Sequence, residues 1–319
     1  MKKFYAFLVT MLLAAGVLAG CGESAEQPKE EKKVEEGQKG AYPVTINDAL
    51  DNEVVIETKP ERIVSVIPSN TEIAFELGFG EEVVGVSDFD NYPPEAEKKE
   101  KVGGLEFNVE KVISLNPDLV LAHASTAQSS EAGLQQLKDA GVPVLIVNDA
   151  KNFDEVYESI EMIGTAAGAK EKADQLVSDM KSKLEEIKTK AQAIKEEDRK
   201  SVMVEVSPAP EIYAAGKNTF MDEMLSAINA ENIISEEGWP KMDSEAIIER
   251  NPDVIVTTHG FYTEDSVGNV LSRDGWQDIT AVKNKQVAAV DSDMVTRSGP
   301  RIIEGVEELA KAIYPDVFK

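Results

Sequence analysis

Two glutamates and the chain's only two histidines fall in a phrase that the sequence contains twice. The first copy, NVEKVISLNPDLVLAH, holds Glu110 and ends at His123; the second, DSEAIIERNPDVIVTTH, holds Glu245 and ends at His259. Each glutamate precedes an Asn-Pro-Asp at the same spacing, and the two copies are 135 residues apart (245 − 110). Carboxylates can pair with basic groups of a partner, and imidazoles can bind metals or transfer protons. The repetition therefore indicates a role that the molecule needs at two places.

The residue inventory argues against a metal centre and against a nucleophilic enzyme. Metal sites need several converging His, Cys, Asp or Glu ligands, and this chain has two histidines and one cysteine. The sequence contains no Gly-x-Ser-x-Gly, and no Cys–His pair is available as nucleophile and base. Acidic residues are abundant, so a catalytic carboxylate pair stays open, although nothing singles one out. His123 and His259 each follow a predicted strand, so both could line a cleft.

Both glutamates lie in the first turn of a predicted helix. Acids in that position interact with the helix dipole, which is worth about 0.3–1 kcal/mol and is an ordinary structural reason for them. The apolar face of the first helix is predicted from Val109, Val112 and Ile113, and that of the second from Ile247 and Ile248. The glutamates then face outward, which would also suit docking of two lobes to a symmetric partner.

The elements around the two copies predict two similar α/β units. In each half, helix, Asn-Pro-Asp and strand follow one another, and further strands alternate with helices, which is typical of a parallel sheet covered on both faces. In the first unit, Ser69 or Asn70 is predicted to cap a helix that has Glu72 in its first turn and ends at Gly78.

A long helical stretch separates the two units. One helix is predicted over residues 153–167, Gly168 breaks it, and a second helix follows over residues 170–195. Apolar residues recur in the second helix at alternating spacings of four and three, from Ala173 to Ile194, and form a continuous stripe. The stripe occurs once between matched units, so a helix lying across both lobes is favoured over a coiled-coil face. The predicted fold is α/β: two Rossmann-like lobes joined by a single long connecting helix, with the ligand cleft between the lobes.

The first residues predict an exported lipoprotein. Lys2 and Lys3 precede an apolar run that is too short for a comfortable membrane span, and Leu-Ala-Gly-Cys follows, ending at Cys21. This tetrapeptide resembles the lipobox of bacterial lipoproteins, which implies a lipidated, palmitate-bearing Cys21 at the mature N-terminus. The predicted domains are a signal peptide (1–20), a disordered acidic tether (21–42), an N-terminal lobe (43–168), a connecting helix (169–198) and a C-terminal lobe (199–319).

The overall charge limits the partners. The formal net charge is −26, which would repel nucleic acid and an anionic membrane surface. The same charge is compatible with a partner that offers basic docking residues.

Several phrases of the chain resemble those of the substrate-binding lipoproteins of ABC importers for cobalamin and ferric siderophores or haem. The phrases are RIVSVIPSNTEIAFELG, VVGVSDFDNYPPEA, the two Asn-Pro-Asp units and TRSGPRI, which together span nearly the whole mature chain. They look closest to those of the cobalamin-binding member. The resemblance implies a monomeric, non-enzymatic capture protein without a cofactor, lipid-anchored on the extracytoplasmic face of the cell membrane.

The resemblance also implies site residues and partners. One glutamate on each lobe of the family docks onto arginines of the permease; these fall on Glu110 and Glu245, so the partner would be a two-fold symmetric ABC permease with its ATPase subunits. The small-molecule ligand would be a corrinoid, and the cleft positions of the cobalamin binders correspond to Phe89, Tyr92, His123, Trp239, Asp293 and Arg297.

Two departures leave the ligand open. A tryptophan expected before the first docking helix is absent, where this chain has Gly103-Gly104, and His123 replaces another aromatic residue. Either change could resize the pocket or place an imidazole near a corrin cobalt or haem iron. Cobalamin is the predicted ligand because the phrases look closest to those of the cobalamin-binding member. Anionic ferric chelates are usually held by several Arg or Lys residues, and Arg297 is the one such residue among the cleft candidates, which also weighs for cobalamin. A ferric siderophore or haem binder is the alternative, followed by an exported lipoprotein enzyme.

Overall fold

In the computed structural model of the protein, residues 42–319 are described. The predicted signal peptide, the lipidation site Cys21 and all but the last residue of the predicted tether lie outside this range and stay predictions. Within residues 42–319, no helix combines the length and the apolar character that crossing a bilayer requires.

The first half of the described chain builds a five-stranded parallel sheet. Its strand order is β5-β4-β3-β6-β7, and every neighbouring pair is parallel. An antiparallel hairpin, β1 (Val44–Asn47) and β2 (Glu53–Ile56), precedes it. The strands are β3 (Ile63–Ser65), β4 (Val83–Val86), β5 (Glu100–Lys101), β6 (Leu119–His123) and β7 (Val144–Val147). The helices are α1 (Pro68–Glu76), α2 (Val109–Ser114), α3 (Ala124–Ala127), α4 (Glu131–Asp139) and α5 (Phe153–Ala167), with a 3₁₀ turn at Ala96–Lys98.

The second half builds a sheet of the same plan. Its parallel order is β10-β8-β11-β12, and β9 pairs antiparallel with β8. After the connecting helix α6 (Lys170–Ala191) and a 3₁₀ turn at Glu196–Asp198, the strands are β8 (Ser201–Ser207), β9 (Tyr213–Ala214), β10 (Glu231–Asn232), β11 (Val254–Thr257) and β12 (Val287–Ala289). The helices are α7 (Phe220–Ala227), α8 (Ser244–Arg250), α9 (Ser266–Leu271), α10 (Thr280–Lys283), α11 (Ser292–Thr296) and α12 (Ile302–Ile313).

The two sheets confirm the predicted α/β fold class with its internal repeat. We call the part built on β3–β7 the N-terminal lobe and the part built on β8–β12 the C-terminal lobe. In both lobes the first strand of the sheet lies between the next parallel strand of the chain and the strand of the repeated phrase. Strands β3, β4 and β6 therefore correspond to β8, β10 and β11. The domain boundaries given above stay predictions.

The repeated Asn-Pro-Asp fastens a helix end to a neighbouring strand. Asn116 and Asn251 both take a left-handed conformation, each with φ of 46°, and thereby end the helices α2 and α8. The aspartate that follows accepts hydrogen bonds from the start of the adjacent strand: Asp118 from the Arg62 backbone at 3.0 Å, and Asp253 from the Ser201 backbone at 3.0 Å. This part of the phrase is therefore repeated for a structural reason in each lobe.

Helix α1 begins earlier than predicted, and its capping prediction is wrong. Pro68 occupies the first helical position, where its fixed φ suits a helix and its missing N–H is not needed. Ser69 and Asn70 are therefore inside the helix, and neither caps it; Asn70 instead donates from Nδ2 to the Ala122 carbonyl at 2.9 Å. Glu72 lies beyond the first turn, so it does not interact with the helix dipole there. Gly78 ends the helix with φ of 90°, as predicted.

The connecting helix α6 packs on both lobes through its predicted stripe. Six stripe residues are buried, at most 5% exposed: Ala173, Val177, Met180, Leu184, Ile187 and Ala191. They belong to one continuous hydrophobic cluster that also contains core residues of the N-terminal lobe, such as Ile160, and of the C-terminal lobe, such as Met224. The described residues 42–319 belong to a single compact unit. Helix α6 ends at Ala191, four residues short of the predicted end.

Candidate ligand cleft

A cleft of about 620 Å³ lies where strands of the two lobes end. Its N-terminal-lobe residues follow the carboxyl end of β4, and its C-terminal-lobe residues follow the carboxyl ends of β11 and β12. Ligands of parallel α/β sheets bind beyond these strand ends, and volumes of 300–1,000 Å³ are usual for binding clefts. The residues lining it are Phe89, Asn91, Gly260, Phe261, Val290, Asp291, Ser292, Asp293 and Arg297.

Two exposed aromatic side chains belong to the cleft, one from each lobe. Phe89 is 52% exposed and Phe261 is 78% exposed. Tyr262 packs edge-on against Phe261, with ring centroids 4.7 Å apart, and is itself 55% exposed. Large apolar side chains exposed together in a cleft can cover the faces of a flat apolar ligand.

A buried ion-pair network anchors the segment that carries Phe261. His259, at the start of that segment, donates from Nε2 to Glu205 Oε1 at 3.1 Å, and Arg273 donates two hydrogen bonds to the same carboxylate at 2.7 and 2.9 Å. Burial by itself would raise the pKa of Glu205, but the hydrogen bonds and charges of Arg273 and His259 outweigh it and lower that pKa. His259 and Glu205 are fully buried, so His259 holds the cleft wall and does not line it.

The single arginine of the cleft is already paired with carboxylates of both lobes. Arg297 donates to Glu72 Oε1 of helix α1 at 2.9 Å and pairs with Asp293 Oδ2 at 2.9 Å. It also donates to Asn91 Oδ1 at 2.7 Å. The structure therefore brings the predicted residues Phe89, Asp293 and Arg297 together, but the positive charge of Arg297 is balanced within the protein.

Tyr92 lies beside these residues and contacts the C-terminal lobe. The Arg301 guanidinium stacks on the Tyr92 ring, 3.9 Å from its centroid, and the tyrosine is 40% exposed. Its contact with a ligand stays a prediction.

His123 is placed away from the surface of the cleft. It ends β6, is 4% exposed, and its Nδ1 lies 2.8 Å from Ser125 Oγ while accepting a hydrogen bond from the Ser125 backbone at 3.3 Å. Burial lowers the pKa of His123, and the charge of Asp149 opposes this only in part. The imidazole is thus neutral near pH 7 and held as the cap of α3. A role as a ligand contact stays a prediction.

Trp239 lies in the loop between β10 and α8. The neighbouring Gly238 and Pro240 carbonyls accept backbone hydrogen bonds from Gly216 and Ala214, which fixes the loop, and the indole is 50% exposed. The structure does not bring Trp239 into the lining of the 620 Å³ cleft, and its role in binding stays a prediction.

Two glycines stand where a tryptophan is expected, and each position has its own structural reason for holding a glycine. Gly103 has φ of +118°, and a Cβ there would lie 2.8 Å from the Glu106 carbonyl oxygen, so the backbone demands glycine. A Cβ on Gly104 would lie 3.3 Å from the Phe89 ring. Gly104 therefore lies against the aromatic wall of the cleft, where a larger side chain would displace Phe89.

Glu110 and Glu245 are exposed on α2 and α8, as the outward orientation predicts. The expectation for two apolar neighbours is wrong: Val112 and Ile247 are fully buried, but Ile113 and Ile248 are 40% and 36% exposed. Each isoleucine directly follows the buried residue, and successive residues of an α-helix point about 100° apart, so matched glutamate–isoleucine pairs lie on the surface.

Sequence reasoning missed Asn91, Phe261, Asp291 and Ser292 in the cleft. Phe261 lies two residues after His259, which ends a predicted strand, and Asn91 lies in the phrase quoted for the resemblance. The available signal for both residues was therefore their position just beyond a predicted strand. The pairing of Glu72 with Arg297 joins residues 225 positions apart and has no local sequence signal.

Other cavities lack the features of this cleft. One of about 520 Å³ lies beside the end of α6 and is lined by helix residues that include Lys188 and Glu223, away from the strand ends. Within residues 42–319, no three His, Cys, Asp or Glu side chains are grouped closely enough to hold a metal ion.

Comparisons with known proteins relate the chain to solute-binding proteins. The family model described as "Periplasmic binding protein" matches residues 63–294. The chain is 55% identical over its whole length to an uncharacterized ABC transporter substrate-binding lipoprotein, YvrC, of Bacillus subtilis, which it also covers in full. It is 30% identical to a cobalamin-binding protein of Halobacterium salinarum, over 97% of this chain and 84% of the relative.

A solved structure gives the same fold. A possible iron-binding, periplasmic solute-binding protein of Staphylococcus epidermidis is 40% identical and aligns with a TM-score of 0.73. The alignment covers 81% of this chain and all of that protein.

Proposed function

We propose a ligand and a docking mode for this chain from the premise that it belongs to the periplasmic binding protein family, whose members are the solute-binding components of ABC transporters and not enzymes. Proteins similar to it are described as cobalamin-binding, haem-binding or possibly iron-binding. The proposed function is capture of cobalamin in the cleft between the lobes and its delivery, chemically unchanged, to an ABC permease.

The charge balance of the cleft is the observation that favours cobalamin over an anionic ligand. Arg297 is the single basic residue that lines it, and Glu72 and Asp293 neutralise it, while Asp291 adds a further acid. Anionic ferric chelates and haem propionates require unpaired arginines or lysines. A corrinoid bearing amides requires apolar faces and neutral hydrogen-bonding groups, and Phe89, Phe261 and Asn91 offer both.

The experiment is calorimetric titration of the chain from Tyr42 onward, which contains the whole described core, with cyanocobalamin, haem and a ferric hydroxamate in turn. We expect saturable one-to-one binding of cyanocobalamin at micromolar strength or tighter, and no binding of the other two. Binding of a ferric chelate without binding of cyanocobalamin would reject the cobalamin proposal but would agree with a solute-binding role in transport.

A ferric siderophore or haem is the second candidate. The observation in its favour is the 40% identity to a protein described as possibly iron-binding. The paired state of Arg297 weighs against it, because binding an anionic chelate through Arg297 would require breaking contacts with Glu72 and Asp293.

The permease would contact the matched surfaces around Glu110 and Glu245. Each presents an exposed carboxylate and, three residues later, a half-exposed isoleucine, Ile113 or Ile248. A carboxylate beside an apolar side chain suits a basic partner surface with its own apolar contacts, and two such surfaces suit a two-fold symmetric partner.

Charge reversal at both surfaces tests this docking mode. The double variant Glu110→Lys and Glu245→Lys is expected to abolish uptake of labelled cobalamin by cells in which it replaces the parental chain, because each lysine would face a basic permease surface. Ligand affinity of the purified variant should equal that of the parent. Normal uptake by the double variant would contradict the docking mode, and Glu196→Lys, at an exposed site elsewhere, is the control.

A lipidated Cys21 would hold the protein at the extracytoplasmic face of the membrane. The related Bacillus subtilis chain is named a lipoprotein, which supports this anchor.

A further inference from the structure

Glu72 is a buried carboxylate that ties the two lobes together beneath the cleft. Its side chain is 2% exposed and belongs to helix α1 of the N-terminal lobe. Arg301 of the C-terminal lobe donates from Nε to Oε2 at 2.9 Å and from Nη2 to Oε1 at 2.7 Å, and Arg297 donates to Oε1 at 2.9 Å. A bidentate guanidinium and a second arginine supply what a buried carboxylate needs to remain charged.

The same two arginines hold the N-terminal-lobe wall of the cleft, residues 89–92. Arg297 donates to Asn91 Oδ1 at 2.7 Å and to the Phe89 carbonyl at 3.3 Å, and Arg301 stacks on Tyr92. Asn91 in turn donates to Asp293 of the C-terminal lobe at 2.8 Å. Three of the four wall residues are therefore held by side chains of the opposite lobe.

The fourth wall residue fastens the segment to its own lobe. Asp90 is 3% exposed, accepts a hydrogen bond from Ser87 Oγ at 2.5 Å, and its carbonyl accepts one from Lys101 Nζ at 2.8 Å. The wall is thus fixed on both sides of the cleft, and Glu72 is the acceptor that both interlobe arginines share.

We propose that Glu72 is a positioning and specificity-determining residue: with Arg301 it fixes the spacing of the two cleft walls, and it withholds the Arg297 charge from ligands so that the cleft rejects anions. Neither Glu72 nor Arg301 lines the cleft, so both act through Arg297 and the wall segment. The specificity part rests on the proposed function of the cleft, whereas the spacing part does not.

Glu72→Gln is the informative substitution because it preserves size and removes one negative charge. A carboxamide cannot balance two guanidinium groups, and its NH₂ group would oppose one of them. Arg297 would keep only Asp293 as a carboxylate partner, so the cleft would become more positive by one charge. The lobes would lose their shared acceptor at the same time.

Interlobe spacing is measured first, without ligand. Spin labels at Glu97→Cys and Glu264→Cys, both exposed and on opposite lobes, report one distance; the chain from Tyr42 onward has no other cysteine because Cys21 precedes it. We expect a narrow distribution for the parent and a clearly broader one for Glu72→Gln. An unchanged distribution would overturn the spacing part.

The matched control removes a carboxylate that also pairs with two cations, but outside the cleft. Glu307 pairs with Lys311 at 3.0 Å and Lys183 at 3.8 Å on the outer faces of α12 and α6. Glu307→Gln should leave the interlobe distribution unchanged. If Glu72→Gln does not fold, Arg301→Lys is used instead. This variant keeps the positive charge but loses the bidentate hydrogen bonding to Glu72, so it should broaden the interlobe distance distribution. An unchanged distribution in Arg301→Lys would overturn the spacing part.

Ligand preference is measured second, with cyanocobalamin as the neutral probe and haem as the anionic probe. The ratio of the haem and cyanocobalamin dissociation constants should move toward haem by at least about tenfold in Glu72→Gln, equivalent to about 1.4 kcal/mol. Equal weakening of haem binding and cyanocobalamin binding would show a merely structural role for Glu72 and overturn the specificity part.

The double variant Glu72→Gln and Arg301→Gln restores the net charge, so it should recover the parental ratio of dissociation constants while the interlobe distance distribution stays broad. If the parent binds neither probe, the proposed function and the specificity part are rejected together, and the distance result still decides the spacing part.

Discussion

At the scale of single residues, the aromatic side chains of the cleft lie on segments that buried or interlobe contacts anchor. Phe261 is exposed, but the segment that carries it begins at His259, which is buried against Glu205 and Arg273. An aromatic ring on an anchored backbone segment loses less entropy when a ligand packs on it than a ring on a freely moving loop. Phe89 on the opposite wall is held through its carbonyl by Arg297. The segments that carry the two rings are therefore preorganised to contact a ligand.

Removal of the Phe261 ring should weaken ligand binding without affecting the fold. Phe261→Ala is expected to raise the dissociation constant for cyanocobalamin about tenfold or more, as loss of a central aromatic contact costs over 1 kcal/mol. Because the side chain is exposed, the melting temperature should stay near that of the parent. Val55→Ala, at an exposed apolar site on the hairpin, is the control for calorimetry. Unaltered affinity in Phe261→Ala would exclude this wall as the binding surface.

His123 should make the free energy of unfolding depend on pH below neutrality. Burial lowers the pKa of His123 below its ordinary value of 6.5, so the unfolded chain takes up a proton that the folded chain resists. Stability is therefore present above pH 6.5 and is lost as the pH falls from 6.5 through the folded pKa, with a slope of at most about 1.4 kcal/mol per pH unit from this group.

Comparison with His123→Gln isolates this effect. Glutamine has no titrating group and can still accept from the Ser125 backbone, so the variant should lose that part of the slope in urea unfolding between pH 7 and 5. Parallel curves for the two proteins would show that His123 is protonated equally in the folded and unfolded states.

At the scale of elements, the repeated phrase combines two roles. Its Asn-Pro-Asp is structural, since the left-handed asparagine ends the helix and the aspartate accepts hydrogen bonds from the start of the adjacent strand, β3 or β8. Its glutamate takes no part in these hydrogen bonds and lies at the surface in both copies. The structural half keeps each helix in the same orientation on its lobe, and this makes the two glutamates equivalent.

The loop between β5 and α2 allows a matched pair of glycine substitutions. Gly103→Ala should lower the free energy of unfolding by about 1–3 kcal/mol, because its φ of +118° and the 2.8 Å approach to the Glu106 carbonyl both exclude a Cβ. Gly104→Ala should cost less than about 1 kcal/mol, since the Phe89 ring can shift by tenths of an ångström. Only Gly104→Ala should change affinity more than stability, as measured by titration and thermal unfolding. Equal destabilisation by both would refute the account of this loop.

At the scale of the whole molecule, one hydrophobic cluster extends through both lobes and the connecting helix. The lobes are also joined by Glu72 with Arg297 and Arg301, and by Glu223, whose Oε2 accepts from the Phe153 backbone at the start of α5 at 3.0 Å. A molecule held at the helix and beneath the cleft can close only slightly around a ligand, because its joints are packed and not hinged.

This continuity predicts that the lobes unfold together. Leu184→Ala, in the middle of α6, should lower the free energy of unfolding by about 2–5 kcal/mol through loss of packing and a residual cavity. Calorimetry should still show one transition, at a lower temperature, because residues of both lobes contact the same cluster. Ser182→Ala on the exposed face should change stability by less than about 0.5 kcal/mol. Two separate transitions would refute the shared core.

The sequence by itself determined the local elements and the repeat. Hydrophobic periodicity, Gly78 and Gly168 placed most helices and strands within a few residues, and the offset of the Asn-Pro-Asp units predicted two matching lobes. These features depend on neighbours along the chain, where side-chain spacing is directly readable. Residue composition and net charge are also readable from the sequence alone, and they argued against nucleic-acid partners and a nucleophilic enzyme.

Only the tertiary structure decided how the cleft is lined and which charges are free. The motif of Arg297 predicts a ligand contact, but Arg297 pairs with Glu72, a residue 225 positions earlier for which the local sequence predicts a place in the first turn of a helix. Phe261 lines the cleft on a segment that begins at His259, which is buried against Glu205, and Ile113 and Ile248 are exposed because each points away from the buried residue before it. Such contacts are set by the packing of two lobes, and pairs so distant in the chain leave no periodic or local signal in a single sequence.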